Sequence, residues 1–189
     1  MESKSQKQLY IVISQTGTLL SRILRFITGA EYNHASISVS ADLEQMYSFG
    51  RRHPYNPFWG GFVMESPHTG TFKRFPKTRI IVLALPVSDE IHCEIQKRLS
   101  SMYEHREDYH YNYLGLFLAG IHIRRKKDYC YYCSEFVRDI LMEFQVKGAS
   151  RLSPIVQPMH FLSLTPAPIY CGKLSEYTVL DVSVYDKSE

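Results

Sequence analysis

Residues 132–146, YCSEFVRDILMEFQV, have the clearest helical pattern in the chain. Their apolar side chains recur on one helical face, and Gly148 follows as a typical C-terminal stop. The pattern predicts a helix over 132–146 with Cys133 in its first turn. There the positive end of the helix dipole and the unpaired backbone N–H groups favour a thiolate. Cys133 is therefore a candidate nucleophile, although a buried structural cysteine is equally consistent with this position alone.

An early strand supplies a candidate base for this thiol. Apolar and polar residues alternate over 32–39, and His34 belongs to the polar set. An imidazole on a strand facing Cys133 could take the thiol proton and later return it to a leaving group. A histidine considered alone is more often a surface or structural residue. The hypothesis therefore rests on the pairing of His34 with Cys133.

The remaining patterns predict a single α+β domain over residues 1–189. We expect strands at 9–14, 46–49, 62–65, 71–75, 79–85, near 169 and at 177–184. We expect helices at 19–27, 89–106, 114–123 and 159–164, with Ser88 capping the second of them. Residues 50–61 contain prolines, glycines and aromatic side chains, which indicates an aromatic loop. The sheet should be largely antiparallel and packed against the helices.

Composition excludes several classes of partner. The net charge of +3 is too small to argue for nucleic acid or an anionic membrane, and the basic run at 124–127 is interpreted as a solvated loop. The apolar runs are too short for a signal segment or a membrane span. We therefore expect a cytoplasmic protein without integral membrane association, in which a free thiol can persist.

Cys130 and Cys133 form a Cys-x-x-Cys pair, which raises metal and redox alternatives. A structural zinc site would need a second pair or histidines at ligand spacing. A thioredoxin-like dithiol would need a βαβ unit, which the pattern does not predict. No metal and no cofactor are predicted, and a dithiol redox protein is kept as an alternative.

Two motifs together resemble a known superfamily. NHASIS at 33–38 and CSEFV at 133–137, in this order, resemble the circularly permuted NlpC/papain-like cysteine hydrolases. That group includes the YiiX-type bacterial proteins and the relatives of lecithin:retinol acyltransferase. The resemblance extends over about residues 9–144 and implies a permuted papain-like fold, in which the histidine strand precedes the cysteine helix.

The same resemblance implies a third, polar residue that orients the histidine ring. Ser48 is the candidate if that residue lies on the strand after the histidine strand. Glu65 is the candidate if residues 50–61 are an insertion, and its carboxylate would also offset the imidazolium charge. Both candidates stay open at this point.

The resemblance implies a thiol-dependent hydrolase or acyltransferase with an acyl-enzyme on Cys133. Its substrate would be a peptide, another amide or an acyl lipid. The aromatic residues Tyr55, Phe58, Trp59 and Tyr132 are the candidate substrate contacts. The alternative from another class is a non-catalytic protein of the same fold, whose aromatic loop holds a lipid, peptide or glycan. The oligomeric state is not predicted.

Overall fold

The computed structural model describes residues 7–16, 29, 31–53 and 56–179, and of residues 56–58 only the backbone. In this part of the chain the protein is mixed α+β, with an open sheet of eight strands. The strands are β1 (Lys7–Gln15), β2 (His34–Ser38), β3 (Met46–His53), β4 (Asn56–Glu65), β5 (Arg79–Val87), β6 (His110–Tyr111), β7 (Cys130–Tyr131) and β8 (Tyr170–Lys173). The sheet order is β7-β6-β4-β3-β2-β1-β5-β8, and only the β6–β7 pair is parallel.

Helices and 3₁₀ helices flank this sheet. The α-helices are α1 (Gly70–Arg74), α2 (Asp89–Glu104), α3 (Tyr113–Gly120) and α4 (Cys133–Glu143), and the 3₁₀ helices are Arg106–Asp108, Ala149–Arg151, Pro158–Leu164 and Leu174–Glu176. The predicted cap of α2 is confirmed, because the Ser88 hydroxyl accepts a hydrogen bond from the Ile91 N–H at 3.2 Å. Helix α4 ends before the predicted residue 146. Gln145, with φ of 51°, turns the chain there, ahead of Gly148.

Both faces of the sheet are buried, which explains the continuous apolar run of β1. Leu9, Ile11 and Ile13 join the larger core cluster, which α2 and α4 cover. Tyr10 and Val12 point to the opposite face and pack in a smaller cluster with α1 and the 3₁₀ helix Leu174–Glu176. Helix α4 therefore lies against one face of β2, and its N-terminus comes near the beginning of that strand.

The prediction of an aromatic loop over 50–61 is wrong for the described residues of this segment, because 50–53 and 56–61 belong to the paired strands β3 and β4. Gly50 pairs with Gly61, and Arg51 pairs with Gly60. A Cβ atom on Gly60 would lie 2.6 Å from the Tyr113 hydroxyl oxygen and 2.8 Å from the Tyr111 Cβ. The glycine therefore permits close packing against the neighbouring segment, whereas the sequence pattern had suggested a turn.

Other boundaries also differ from the prediction. The segment predicted as a strand over 71–75 is helix α1, whose only buried residue is Phe72, so its pattern has no clear period. The helix predicted over 114–123 ends at Gly120, and 159–164 belongs to a 3₁₀ helix. Residues 177–179 are not a strand, and the rest of 177–184 and the predicted helix 19–27 lie outside the described residues. Strands β6 and β7 were not predicted, since two-residue strands have no readable alternation.

Candidate functional site

Cys133 is the first residue of α4, and its side chain is buried. The apolar face of α4 packs on the sheet, which orients the N-terminus of the helix towards the start of β2. Tyr132 precedes the helix as its N-cap residue, and its carbonyl accepts the hydrogen bond from the Phe136 N–H at 3.1 Å. The unpaired N–H groups of the first turn point out of the N-terminal end of the helix, where the Cys133 thiol lies.

His34 is the first residue of β2 and lies beside this thiol. Its imidazole and the Cys133 thiol shift each other's pKa, although 99 residues separate the two in the chain. The Cys133 Sγ also lies 3.9 Å from the Asn33 carbonyl oxygen, which accepts its weak hydrogen bond. The structure thus brings the predicted nucleophile and the predicted base together.

Glu65 and Ser48, the two alternative orienting residues, occur in one network. The His34 Nε2 lies 3.0 Å from Glu65 Oε2. The same carboxylate oxygen accepts hydrogen bonds from the hydroxyls of Ser36 at 2.8 Å and Ser48 at 2.9 Å. Glu65 is the direct partner of the imidazole, and Ser48 acts on it only through Glu65. Ser36 was not among the predicted site residues.

Strand alternation explains why these side chains converge. His34 and Ser36 are two residues apart on β2 and share one face of the sheet. Ser48 on β3 and Glu65 on β4 reach the same face of two successive neighbouring strands. The side chains of His34 and Glu65 are only 15% and 14% exposed, so solvent screens their interaction weakly.

Electrostatics favour the charged forms of this pair. Burial alone would lower the pKa of His34, but the Glu65 charge and the hydrogen bonds to Cys133 and Glu65 outweigh it and hold that pKa well above 6.5. Burial would raise the pKa of Glu65, but the His34 charge and the hydrogen bonds from His34, Ser36 and Ser48 lower it. An imidazolium paired with a carboxylate is therefore the favoured state.

The Cys133 thiol is shifted towards its ionised form. Burial opposes ionisation, but the hydrogen bond and the charge of His34 overcome it and lower the pKa of Cys133. Hydrogen bonds from the backbone N–H groups of Ala35 and Ser134 act in the same direction. Since Nε2 of His34 is engaged by Glu65, Nδ1 is the ring nitrogen left to face the sulfur.

Tyr111 on β6 is a site residue that the sequence did not single out. Its hydroxyl interacts with Cys133, and burial together with the Cys133 charge raises the pKa of Tyr111 well above 10. Its ring packs against Tyr113 with centroids 4.5 Å apart. With 14 tyrosines in the chain and no visible strand pattern at 110–111, no sequence signal distinguished this one.

A small cleft of about 40 Å³, partly open to solvent, lies beside Cys133. Its walls are mostly apolar and include Leu116, Ala119, Tyr132, Val156 and Pro158. Tyr132, one of the predicted substrate contacts, thus lines the cleft beside Cys133. Trp59 does not line the cleft and is 62% exposed. Tyr55 and the side chain of Phe58 lie outside the described residues.

The remaining cysteines do not form a disulfide with Cys133. Cys130 is buried in β7, Cys93 and Cys171 are exposed, and all four are free thiols. Among the described residues, no group of three His, Cys, Asp or Glu side chains could hold a metal ion. None of the described helices is long and apolar enough to cross a membrane.

The chain was compared with protein-family models, with curated proteins and with solved structures, and none of them matched it.

Proposed function

We propose that this protein is a cysteine hydrolase or acyltransferase with Cys133 as nucleophile, His34 as general base and acid, and Glu65 as the residue that orients His34. One observation carries the proposal. A buried thiol at a helix N-terminus lies beside the strand residue His34, whose imidazole lowers the pKa of the thiol and is itself hydrogen-bonded to a buried carboxylate. This nucleophile–base–orienter order is what thiol catalysis requires, because the thiolate must form near neutral pH and the imidazolium must persist beside it.

The reaction begins with attack of the Cys133 thiolate on a carbonyl carbon, which forms a C–S bond and moves the carbonyl electron pair to oxygen. In this mechanism the Cys133 N–H at the start of α4 and the Tyr111 hydroxyl donate hydrogen bonds to the oxyanion. Collapse breaks the bond to the leaving amine or alcohol, which takes the proton from His34. Water or another acceptor then loses a proton to His34, attacks the thioester and releases Cys133.

Chain order supports placing the protein in the permuted papain-like group. The histidine strand β2 precedes the cysteine helix α4, and the orienting carboxylate follows on β4, two strands from β2 in the sheet. This is the order that the motifs NHASIS and CSEFV implied. The assignment of the permuted fold is part of the proposal.

The direct test is the pH dependence of iodoacetamide alkylation at Cys133, followed by peptide mass spectrometry. Cys93 and Cys171 are exposed thiols of the same chain and serve as internal references. We expect Cys133 to react well below the free-thiol pKa of about 8.5, and His34→Ala to abolish this reactivity. His68→Ala, which removes an imidazole that is paired with Glu44 and is 76% exposed, is the matched control and should leave Cys133 unchanged.

A second measurement separates catalysis from mere reactivity. Incubation with panels of aryl esters, thioesters and aryl amides should add the acyl mass to Cys133 in the intact protein, and Cys133→Ser should not accumulate the thioester. If Cys133 titrates as the reference thiols do, whichever residue occupies position 34, the enzymatic proposal is refuted. The apolar cleft beside Cys133 would then favour a ligand-binding protein. A Cys130–Cys133 disulfide formed reversibly under mild oxidation would favour the dithiol instead.

A further inference from the structure

Helix α3 is apolar on both of its faces. Its inner face contains the buried residues Gly115 and Ala119 and contributes Leu116 to the cleft beside Cys133. On its outer side, Leu114 is 49% exposed and Phe117 is 56% exposed. A helix at the surface of a globular protein normally has polar residues on its outer face, so this one is unusual.

The exposed apolar side chains continue beyond the end of the helix. Ile121 is 55% exposed and Ile123 is 50% exposed. Leu114, Phe117 and Ile121 are spaced three and four residues apart, which places them on one side of the helix. We call the set Leu114, Phe117, Ile121 and Ile123 the α3 ridge. Half-exposed apolar side chains grouped on one helix and just beyond its end are the composition of an interaction surface.

A basic run directly follows the α3 ridge and folds back towards it. Residues 124–127 are Arg-Arg-Lys-Lys, and all four are exposed. The Ile123 N–H donates to the Leu118 carbonyl at 2.9 Å, and the Asn112 side-chain amide donates to the Arg125 carbonyl at 3.1 Å. Asn112 also caps α3, so the basic loop is tied to the beginning of the helix that bears the ridge.

The cations of this loop are largely available to a partner. Within the described part of the chain, only Lys126 of the four forms an ion pair, with Asp139 at 3.1 Å. The net charge of the whole chain is only +3, so this loop is a local concentration of positive charge. Apolar side chains flanked by arginine and lysine are complementary to a lipid surface with anionic headgroups.

We propose that the α3 ridge and the basic loop 124–127 dock the protein on an anionic phospholipid bilayer. The apolar side chains enter the boundary between headgroups and acyl chains, and the basic side chains contact the lipid phosphates. The inner face of the same helix lines the cleft, so docking brings the cleft to the membrane surface. The docking does not depend on the chemistry proposed for Cys133.

The test is co-sedimentation of the full chain with vesicles of phosphatidylcholine alone and with vesicles in which phosphatidylglycerol is about one third of the lipid. We expect binding to the anionic vesicles, weak binding to the neutral ones, and loss of binding at high salt. The triple variant R124Q/R125Q/K127Q should bind about 100-fold more weakly, at about fivefold per basic residue removed. F117S/I121S should lose about 25-fold, at about fivefold for each half-exposed side chain.

Matched controls are available elsewhere on the surface. K73Q/K77Q removes two exposed lysines near α1, and M142S removes an apolar side chain that is 38% exposed on α4. Both should bind as the wild type does. Cys133→Ala should also bind fully, which separates a failure of docking from a failure of the proposed catalysis.

Three results would each overturn the docking proposal. The first is no binding to any vesicle, and the second is equal binding by wild type and the charge variant. The third is a dimer in size-exclusion chromatography that F117S/I121S converts to a monomer, with no vesicle binding by either form. The substituted side chains are exposed, so circular dichroism should show native folding of each variant. The charge variant keeps the test valid if F117S/I121S does not fold.

Discussion

Substitution of Glu65 by glutamine removes one charge and keeps the size of the side chain. The carboxylate oxygen lies 3.0 Å from His34 Nε2, and both side chains are mostly buried. At an effective dielectric constant of about 20, two unit charges at this distance attract by about 5 kcal/mol, which is an upper limit because burial of the charges offsets part of it. A hydrogen bond to a charged group contributes a net stabilisation of about 1.5–3 kcal/mol. We therefore expect Glu65→Gln to reduce the imidazolium–thiolate population about 10–100-fold.

The assay is the rate of Cys133 alkylation between acidic and alkaline pH, measured beside turnover of any substrate found. In Glu65→Gln the rise in alkylation rate should move to higher pH, because a less basic His34 stabilises the thiolate less. The control is Glu44→Gln, which breaks an exposed glutamate–histidine pair of 3.1 Å with His68. Exposed pairs contribute about 0–1 kcal/mol, so this control should leave Cys133 unchanged. An alkylation profile in Glu65→Gln that overlays the wild type would refute the inferred role of Glu65.

The sign of the pH effect on stability follows from the same pair. The raised pKa of His34 means that its ion pair stabilises the fold below the unfolded histidine pKa, and this contribution is lost as pH rises through the folded value. The lowered pKa of Glu65 means that its contribution is present above the unfolded glutamate pKa and is lost as pH falls through the folded value. The pair therefore contributes most in the mildly acidic range between these limits, and Glu65→Gln should flatten that maximum in urea unfolding.

Three further changes have defined outcomes. Tyr111→Phe removes the hydroxyl that contacts Cys133 and should lower kcat, by up to about 100–1000-fold if it is a full oxyanion donor, with little change in KM. Glu135→Gln should stabilise the fold by about 2 kcal/mol at pH 8, allowing for solvent screening, and by almost nothing at pH 4. Burial raises the pKa of Glu135 to about 7. Glu135 is therefore neutral in the fold at low pH, and its charged form destabilises the fold as pH rises through 7. Glutamine stays neutral at both pH values. Phe136→Ala should cost about 3–5 kcal/mol in urea unfolding, because the ring is 1% exposed in the core.

Each of these three has a result that contradicts it. Tyr129→Phe, at a ring that is 60% exposed, is the control for Tyr111→Phe, and equal kcat values in the two variants would exclude an oxyanion role. A stability change in Glu135→Gln that is the same at pH 4 and pH 8 would mean that the carboxyl does not titrate with folding. A cost below about 1 kcal/mol for Phe136→Ala would place that side chain outside the cooperative core.

The local pattern was sufficient for elements whose apolar periodicity continues over many residues and whose first residue has a clear signal. Helix α2 begins at its predicted residue with its predicted cap, and Cys133 begins α4. The local pattern failed where cross-strand packing opposed local preference. Gly60 is an example, because glycine favours a turn, yet this residue lies in β4. The pattern also failed at β6 and β7, whose two residues each are too few to show alternation.

The sequence by itself determined which groups could react, since an amphipathic helix with Cys133 in its first turn and a strand with His34 on its polar side follow from short-range periodicity. It left Glu65 and Ser48 as competing partners of the histidine, because their positions depended on whether residues 50–61 form a loop. The tertiary structure decided that question by pairing β3 with β4, so that the hydroxyls of Ser48 and Ser36 both donate to one carboxylate oxygen of Glu65. It alone brought Tyr111 to the thiol and left the α3 ridge in solvent. Such contacts depend on which strands and helices become neighbours, which is a property of the whole fold rather than of any local segment.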